Sequence, residues 1–338
     1  MSCMLCTVFV FIAFFFLLLL LLVIVVRLKS SGRPKLLRFE SEKYFLDPDT
    51  GSKLKFPDLN NSDGSVYLSV VVPAYNEEKR LPLMLDEALE YLEAREKSKS
   101  WESSVLSGEK FTYEIIVVDD GSSDRTSEVA LSYSSKYGCN KVRVLTLAKN
   151  RGKGGAVRMG MLSSRGRMLL LADADGATLF KDVERLELYL SKTCKSEDDI
   201  LHSIAIGSRK HLEEDAKAKR SLFRTVLMLG FHFIVWFFTV KTVRDTQCGF
   251  KLFGREVAKV LFPAIHVERW AFDVELLFLA EQLNIKLGEI SVTWTEIDGS
   301  KIVPVFSWIQ MGKDVLRISF MYTMQAWSIP EYNYVYNK

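Results

Sequence analysis

The chain has little of what marks a metal cage, a disulfide scaffold or a nucleic-acid binder. Its five cysteines (Cys3, Cys6, Cys139, Cys194, Cys248) lack any C-x-x-C…C-x-x-C pairing, so neither a zinc cage nor a disulfide framework is indicated. Its four histidines are never four residues apart, which excludes an H-E-x-x-H metalloenzyme. Neither sign of charge dominates. Lys and Arg total 45 against 42 Asp and Glu, and a net charge of +3 is too balanced for an electrostatic nucleic-acid partner. There is no internal repeat. What is present is 48% hydrophobic and 12% aromatic content over 338 residues, enough to build the core of one or two domains.

The N-terminus departs from that soluble composition. No charged residue occurs from Cys3 to Val26, and Phe9–Val26 is almost wholly Phe, Leu, Ile and Val. At the helical rise such a run reaches about 36 Å, against roughly 30 Å of hydrocarbon. A cleaved signal peptide fits less well, because no basic segment precedes the run and no small-residue cleavage site follows. Arg27, Lys29, Arg33, Lys35 and Arg38 crowd the C-terminal flank alone. The positive-inside rule then predicts a signal anchor over residues 1–28, with a lumenal N-terminus and a cytosolic body. Asn60-Asn61-Ser62 is a glycosylation sequon that a cytosolic position would leave unmodified.

Residues 29–66, with Pro34, Gly51, Pro57 and Gly64, read as a stem or linker that partly packs on the body. Beyond it, apolar runs at Tyr67–Val72, Tyr113–Val118, Val142–Leu147 and Met168–Ala172 predict strands, the first ended by Pro73. Helical spacing covers 80–95 and 156–163, and the Ser- and Lys-rich stretch 96–110 reads as an exposed loop. Strands of this near-continuous apolar kind, alternating with helices, predict a parallel α/β sheet.

Ligands sit at the carboxyl ends of the strands in such a sheet. Three strands end in polar clusters: Pro73 to Glu78, Asp119-Asp120-Gly121-Ser122, and Asp173-Ala174-Asp175-Gly176. The last is a D-x-D pair, which can aim two carboxylates at one hard divalent cation whose shell is completed by phosphate oxygens and water. The alternative is a capping turn, since Asp and Gly are ordinary turn formers. Other phosphate motifs fail. In Asn150-Arg151-Gly152-Lys153-Gly154-Gly155, Leu147 replaces the first glycine of a P-loop and Val157 the last glycine of a dinucleotide fingerprint. Ala177 replaces a calcium-loop ligand. The glycine-rich stretch is left as either an anion-facing loop with Lys153 or a plain connection.

The succession VVVPAYNEE, VVDDGSSDRT, NRGKGGAVR and DADGAT resembles the inverting, nucleotide-sugar-dependent glycosyltransferases of family 2, which have the GT-A fold. The later segments IGSRK, DTQCGFKLF and HVERWAFDVEL narrow the resemblance to the dolichyl-phosphate β-glucosyltransferases. It covers about residues 67–330 and implies a GT-A catalytic domain over 67–300. It also implies transfer of glucose from UDP-glucose to dolichyl phosphate at the cytosolic face of the endoplasmic reticulum, making the lipid-linked glucose donor of N-glycan precursor assembly. By the same implication Pro73, Tyr75, Glu77, Val118 and Asp120 line the uridine pocket. Asp173, Ala174 and Asp175 would hold Mg²⁺ or Mn²⁺ and the diphosphate, while Arg209 and Lys301 would reach phosphates. Related mannosyl enzymes carry an Arg where this chain has Thr295. Processive polysaccharide synthases carry Q-x-x-R-W where this chain has His266-Val267-Glu268-Arg269-Trp270, so the Gln is missing.

Val226–Val240 is apolar but too short to span, and reads as an interfacial or re-entrant element within 222–243, or else as a core helix. Residues 301–338 read as a membrane-associated amphipathic segment. The partners expected are UDP-glucose, dolichyl phosphate and membrane lipid, with no nucleic acid; a homo-oligomer is compatible with all of this. The acceptor phosphate, mostly ionised at pH 7 because its second pKa is near 6, would need no general base. Asp175 is then the expected catalytic residue, and Asp273 and Glu275 serve positioning or packing. Two alternatives are a mannosyltransferase using GDP-mannose and a catalytically silent, anchored nucleotide-sugar binder.

Overall fold

Apolar side chains along the buried strands alternate between two faces, and this alternation sets the architecture. In the computed structural model, residues 14, 17, 21, 24–28, 36–61, 64–98, 106, 110–209, 222–297 and 306–336 are described. The run Phe9–Val26 and the 96–110 loop lie largely outside these residues, and Lys301 wholly so. Among the described residues, no helix is long and apolar enough to cross a membrane.

The described strands are β1 (Tyr44–Leu46), β2 (Lys53–Lys55), β3 (Val66–Ala74), β4 (Tyr113–Asp119), β5 (Val142–Thr146), β6 (Gly166–Ala172), β7 (Ser203–Ser208), β8 (Phe250–Gly254) and β9 (Lys286–Ser291). Among the described residues the α-helices are α1 (Leu81–Lys97), α2 (Thr126–Tyr137), α3 (Lys153–Leu162), α4 (Val183–Thr193), α5 (Glu197–Leu201), α6 (Leu222–Phe238), α7 (Arg255–Ala264), α8 (Phe272–Gln282) and α9 (Phe306–Thr323). Strands β3 to β9 form one sheet in the order β5-β4-β3-β6-β8-β7-β9. Val71, Ile116, Val118, Leu169 and Leu171 enter one core, and Val70, Val72, Ile115, Val117 and Leu170 the other. This is the period-2 alternation of strands buried on both faces. Helix α3 lies very close to the sheet. A Cβ on Gly160 would come within 2.4 Å of Val71 Cγ1 and 2.7 Å of Val118 Cγ2, so no larger residue fits there.

The sheet is mixed, which corrects the expectation of a parallel one. β5, β4, β3 and β6 are parallel, but β8 is antiparallel to both β6 and β7. The reason is the connection. The chain leaves β7 at the carboxyl edge and returns through α6 to that same edge, where Phe250 pairs with Ala172. Without a crossover the returning strand must run the other way. A second difference concerns Pro73, which does not end β3. It lies where β3 has lost its pairing with β6 and faces only Val118 of β4, a position that tolerates a missing N–H. A third is α3, which starts at Lys153 rather than 156.

Opposite the carboxyl edge, the lower ends of the strands are joined by Glu114. Its side chain is fully buried and accepts from Ser69 Oγ (2.5 Å), Arg165 N (2.8 Å) and Arg165 Nε (3.0 Å), and pairs with Arg143 at 3.0 Å. Within the segment read as a stem, β1 and β2 form a hairpin, and Phe45, Phe56 and Leu59 are buried in the core beneath α3. Buried Glu42 accepts from the Ala148 N–H (3.0 Å) and from Arg151 (2.8 Å), which ties this segment to the loop preceding α3. Helix α6 packs on α9 and leaves Phe233, Trp236 and Phe237 exposed; Ile309, Leu316 and Phe320 of α9 are exposed as well. Arg27 donates to the Met324 carbonyl at 2.8 Å, so the described base of the N-terminal run meets the end of α9.

Candidate active site

The carboxyl edge of β3, β4, β6 and β7 gathers the polar clusters that the sequence places after each strand. The end of β6 supplies Asp173 and Asp175, both half-buried, on either side of buried Ala174. Asp175 Oδ1 accepts the Ala177 N–H at 3.0 Å, which leaves its other oxygen for a ligand. Asp173 is bound by the Lys153 ammonium, whose Nζ lies 2.7 Å from Oδ1 and 2.9 Å from Oδ2. Gly249 makes room for it: a Cβ there would stand 2.0 Å from Asp173 Oδ2. Burial alone would lower the Lys153 pKa, but Asp173, Asp273 and Asp175 together hold it above the ordinary lysine value.

Behind Lys153 the charges continue to alternate. Fully buried Lys251 donates to Asp273 Oδ1 at 2.6 Å and to the Cys248 carbonyl at 2.6 Å. Burial raises the Asp273 pKa, against the pull of Lys251 and Lys153. Asp273 is thus the counter-charge of a buried ammonium. Glu275 is also committed: it accepts from the His266 and Val267 N–H groups, His266 Nδ1 and the Tyr322 hydroxyl, all within 2.9 Å. These bonds fasten α8 to the end of α9.

At the end of β3, Pro73 is half-buried and Tyr75 is exposed. The Glu77 carboxylate is gripped by Arg80, with Nε to Oε2 at 2.7 Å and Nη2 to Oε1 at 2.5 Å. The field of Asp175 and Asp173 reaches Arg80, so this pair borders the D-x-D turn. Val118 is fully buried with its side chain against Gly160, and any ligand contact from it is through the main chain. Asp120 is buried and accepts the Arg151 N–H (2.7 Å) and the Gly152 N–H (2.8 Å), so it fastens the glycine-rich loop. Burial pushes its pKa up to about 6 in spite of these two bonds. The loop's amides therefore serve Asp120, and it is Lys153 that turns toward the acidic turn.

Arg209, at the end of β7, is held in a fork by Asp245 (2.9 and 2.8 Å) and lies over the Trp294 ring at 5.6 Å. Burial would weaken its charge, but Asp245 holds its pKa above the ordinary range. Thr295 donates its N–H to the Ala177 carbonyl at 2.8 Å, directly beside the acidic turn. The residues that sequence reasoning missed are Arg80, Asp245 and Lys251. Arg80 was signalled by its i, i+3 spacing to Glu77; nothing in the sequence marks Lys251 as buried.

A divalent cation fits this donor set. Two half-buried carboxylates, Asp173 and Asp175, stand two residues apart on one turn at the carboxyl edge, and among the described residues no group of three or more His, Cys, Asp or Glu forms a metal cage. That is the pattern of a hard cation that shares its shell with substrate phosphates.

Comparison with known proteins agrees with this arrangement. The profile of glycosyl transferase family 2 matches residues 69–262. The chain is 56% identical over 304 residues to the dolichyl-phosphate beta-glucosyltransferase of Drosophila melanogaster, covering 90% of each chain. It is 57% identical over 298 residues to the Homo sapiens protein of the same name, covering 88% of each. A crystal structure of a mycobacterial protein superposes with a TM-score of 0.51 at 17% identity, covering 85% of this chain and 84% of that one, and so shares the fold. The central mixed sheet is that of a GT-A-like glycosyltransferase, and the chain belongs to glycosyl transferase family 2, among the dolichyl-phosphate beta-glucosyltransferases.

Proposed function

We propose that this chain transfers glucose from UDP-glucose to dolichyl phosphate with inversion, releasing UDP and dolichyl β-D-glucosyl phosphate. The observation that carries the reading is the D-x-D turn, set among Lys153, Arg80 and Arg209 in a chain whose relatives bear that activity in their names over nine-tenths of its length. Asp173 and Asp175 would hold a divalent cation, Mg²⁺ or Mn²⁺, which when bound offsets the negative charge of the leaving diphosphate.

The chain's own residues do the rest. Tyr75 and the main chain of β3 and β4 offer an edge for the nucleoside, with Glu77 oriented by Arg80. Arg209, fixed by Asp245, presents a guanidinium to a phosphate. Lys301 is proposed for the same task. No side chain has to remove a proton from the acceptor, since a phosphate monoester is already mostly dianionic at pH 7. Asp273 and Glu275 agree with that, because both carboxylates are engaged inside the protein. The reaction would go by one displacement at the anomeric carbon.

We also propose that the body lies against the cytosolic face of the endoplasmic reticulum membrane, anchored by the run ending at Val26. The one-sided basic flank supports this, as do the exposed aromatic side chains of α6 and the apolar ones of α9. The deciding assay offers microsomes containing this chain either UDP-glucose or GDP-mannose with dolichyl phosphate. Lipid-linked glucose should form and lipid-linked mannose should not. A glycan on Asn60, or protection of the body from protease in sealed microsomes, would reverse the topology.

A further inference from the structure

The acidic turn carries an occupant of its own. Lys153 Nζ lies within 2.9 Å of both oxygens of Asp173, and that carboxylate can take up this position only because Gly249 lacks a Cβ. The ammonium lies in the field of Asp173, Asp273 and Asp175, and Asp273 in turn pairs with Lys251. Lys153 begins helix α3, and the segment just before it is fixed by the two amide bonds to Asp120, so its backbone has little freedom. Movement would have to come from its side chain, a flexible four-carbon stem. Asp273 is close enough for its charge to act on Lys153, and it spends one oxygen on Lys251.

We propose that Lys153 is a built-in counter-ion that competes with the divalent cation for Asp173 and is transferred toward Asp273 when the cation binds. The inference rests on the reading of Asp173 as a cation ligand. A single carboxylate oxygen pair cannot serve an ammonium at 2.7 Å and a divalent ion together without strong like-charge repulsion. Metal entry therefore requires Lys153 to leave. In the empty site the ammonium keeps Asp173 and Asp175 from repelling each other and holds the turn in its liganding shape. It also weakens the bare site for metal, so that the cation is retained well only when the nucleotide's diphosphate adds its own oxygens. Lys153 is thus a positioning residue that couples cation binding to donor binding.

The experiment is a titration of the full chain in detergent with Mn²⁺ alone, followed by electron paramagnetic resonance of the free ion, without and with UDP. Lys153→Met, which keeps the length and removes the charge, should bind Mn²⁺ about tenfold more tightly than the wild type in the absence of nucleotide. With UDP present the gap should narrow. Lys153→Arg should behave like the wild type. Should the Met variant fail to fold, Lys153→Gln is measured in its place with the same expectation. Unchanged or weaker Mn²⁺ affinity in the charge-free variant overturns the proposal. Failure of the wild type to bind UDP at all would count against the functional reading instead, and the two failures are separable in one set of titrations.

Discussion

The two ends of the same strands both carry carboxylates, and the protein treats them in opposite ways. At the lower end, Glu114 is fully buried and saturated by Ser69, Arg165 and Arg143. At the upper end, Asp173 and Asp175 are half-buried; Asp173 faces the Lys153 ammonium, and Asp175 keeps one oxygen beyond its bond to the Ala177 N–H. A saturated acid holds strands together; an incompletely satisfied one at the carboxyl edge is free to bind. Burial and partner count, not residue type, separate the two roles.

Substitutions at the two ends should therefore break different properties. Asp175→Asn keeps an oxygen for the Ala177 N–H but loses the charge; turnover should drop by about 10²–10³ while the melting temperature stays put. Normal turnover in the presence of a chelator would remove Asp175 from the site. Glu114→Gln should do the reverse. It strands the buried Arg143 cation, which costs about 3–5 kcal/mol, and the melting temperature should fall by about 10 °C with activity per folded molecule kept. Asp273→Asn sharpens the contrast, since Asp273 belongs to the upper end yet is buried like Glu114. Its loss should destabilise the fold by leaving Lys251 unpaired, while kcat in the folded fraction falls less than about 100-fold. A thousandfold loss rescued at higher pH would mean that a general base is required.

The smallest effect concerns pH. Asp120 has a folded pKa of about 6 against an ordinary 3.8, so between these values the native state holds a proton that the unfolded chain has released. Its contribution to stability is full below pH 3.8 and is lost as the pH rises through about 6. Urea denaturation of Asp120→Asn across that window should give a flatter profile than the wild type. Parallel profiles would indicate that Asp120 is charged throughout.

The first half of the sheet was legible in the sequence because β3, β4, β5 and β6 are short apolar runs, and β4 and β6 are closed by aspartates. The second half was not. β7, β8 and β9 contain glycine, serine and lysine, and Lys251 in the middle of β8 reads as a surface residue until Asp273 is seen beside it. The acidic turn was legible from D-x-D after an apolar strand, and its place at the carboxyl edge is as expected. Its ammonium partner was not, since the glycine-rich loop left Lys153 with two readings that only the Asp173 distance separates. Glu42 and Arg151 were hidden for the same reason as Lys251: a buried ion pair between distant segments leaves no local pattern.

The antiparallel insertion of β8 has a consequence for how the chain is made. Strands β3 to β6 follow one another closely, so they can pair as they leave the ribosome, N-terminal part first. The far edge of β6, with Met168, Leu169, Leu170 and Leu171, then waits for a partner that is about 80 residues further along the chain. At ordinary elongation rates that is on the order of ten seconds with an apolar strand edge open, the kind of surface on which nascent chains stick to one another. The same delay keeps Gly249, Lys251 and Asp273 from reaching the acidic turn until late in synthesis. Chains terminated before Gly254 should carry the D-x-D pair yet be retained by chaperones or aggregate, because the edge of β6 is still without its full partner strand.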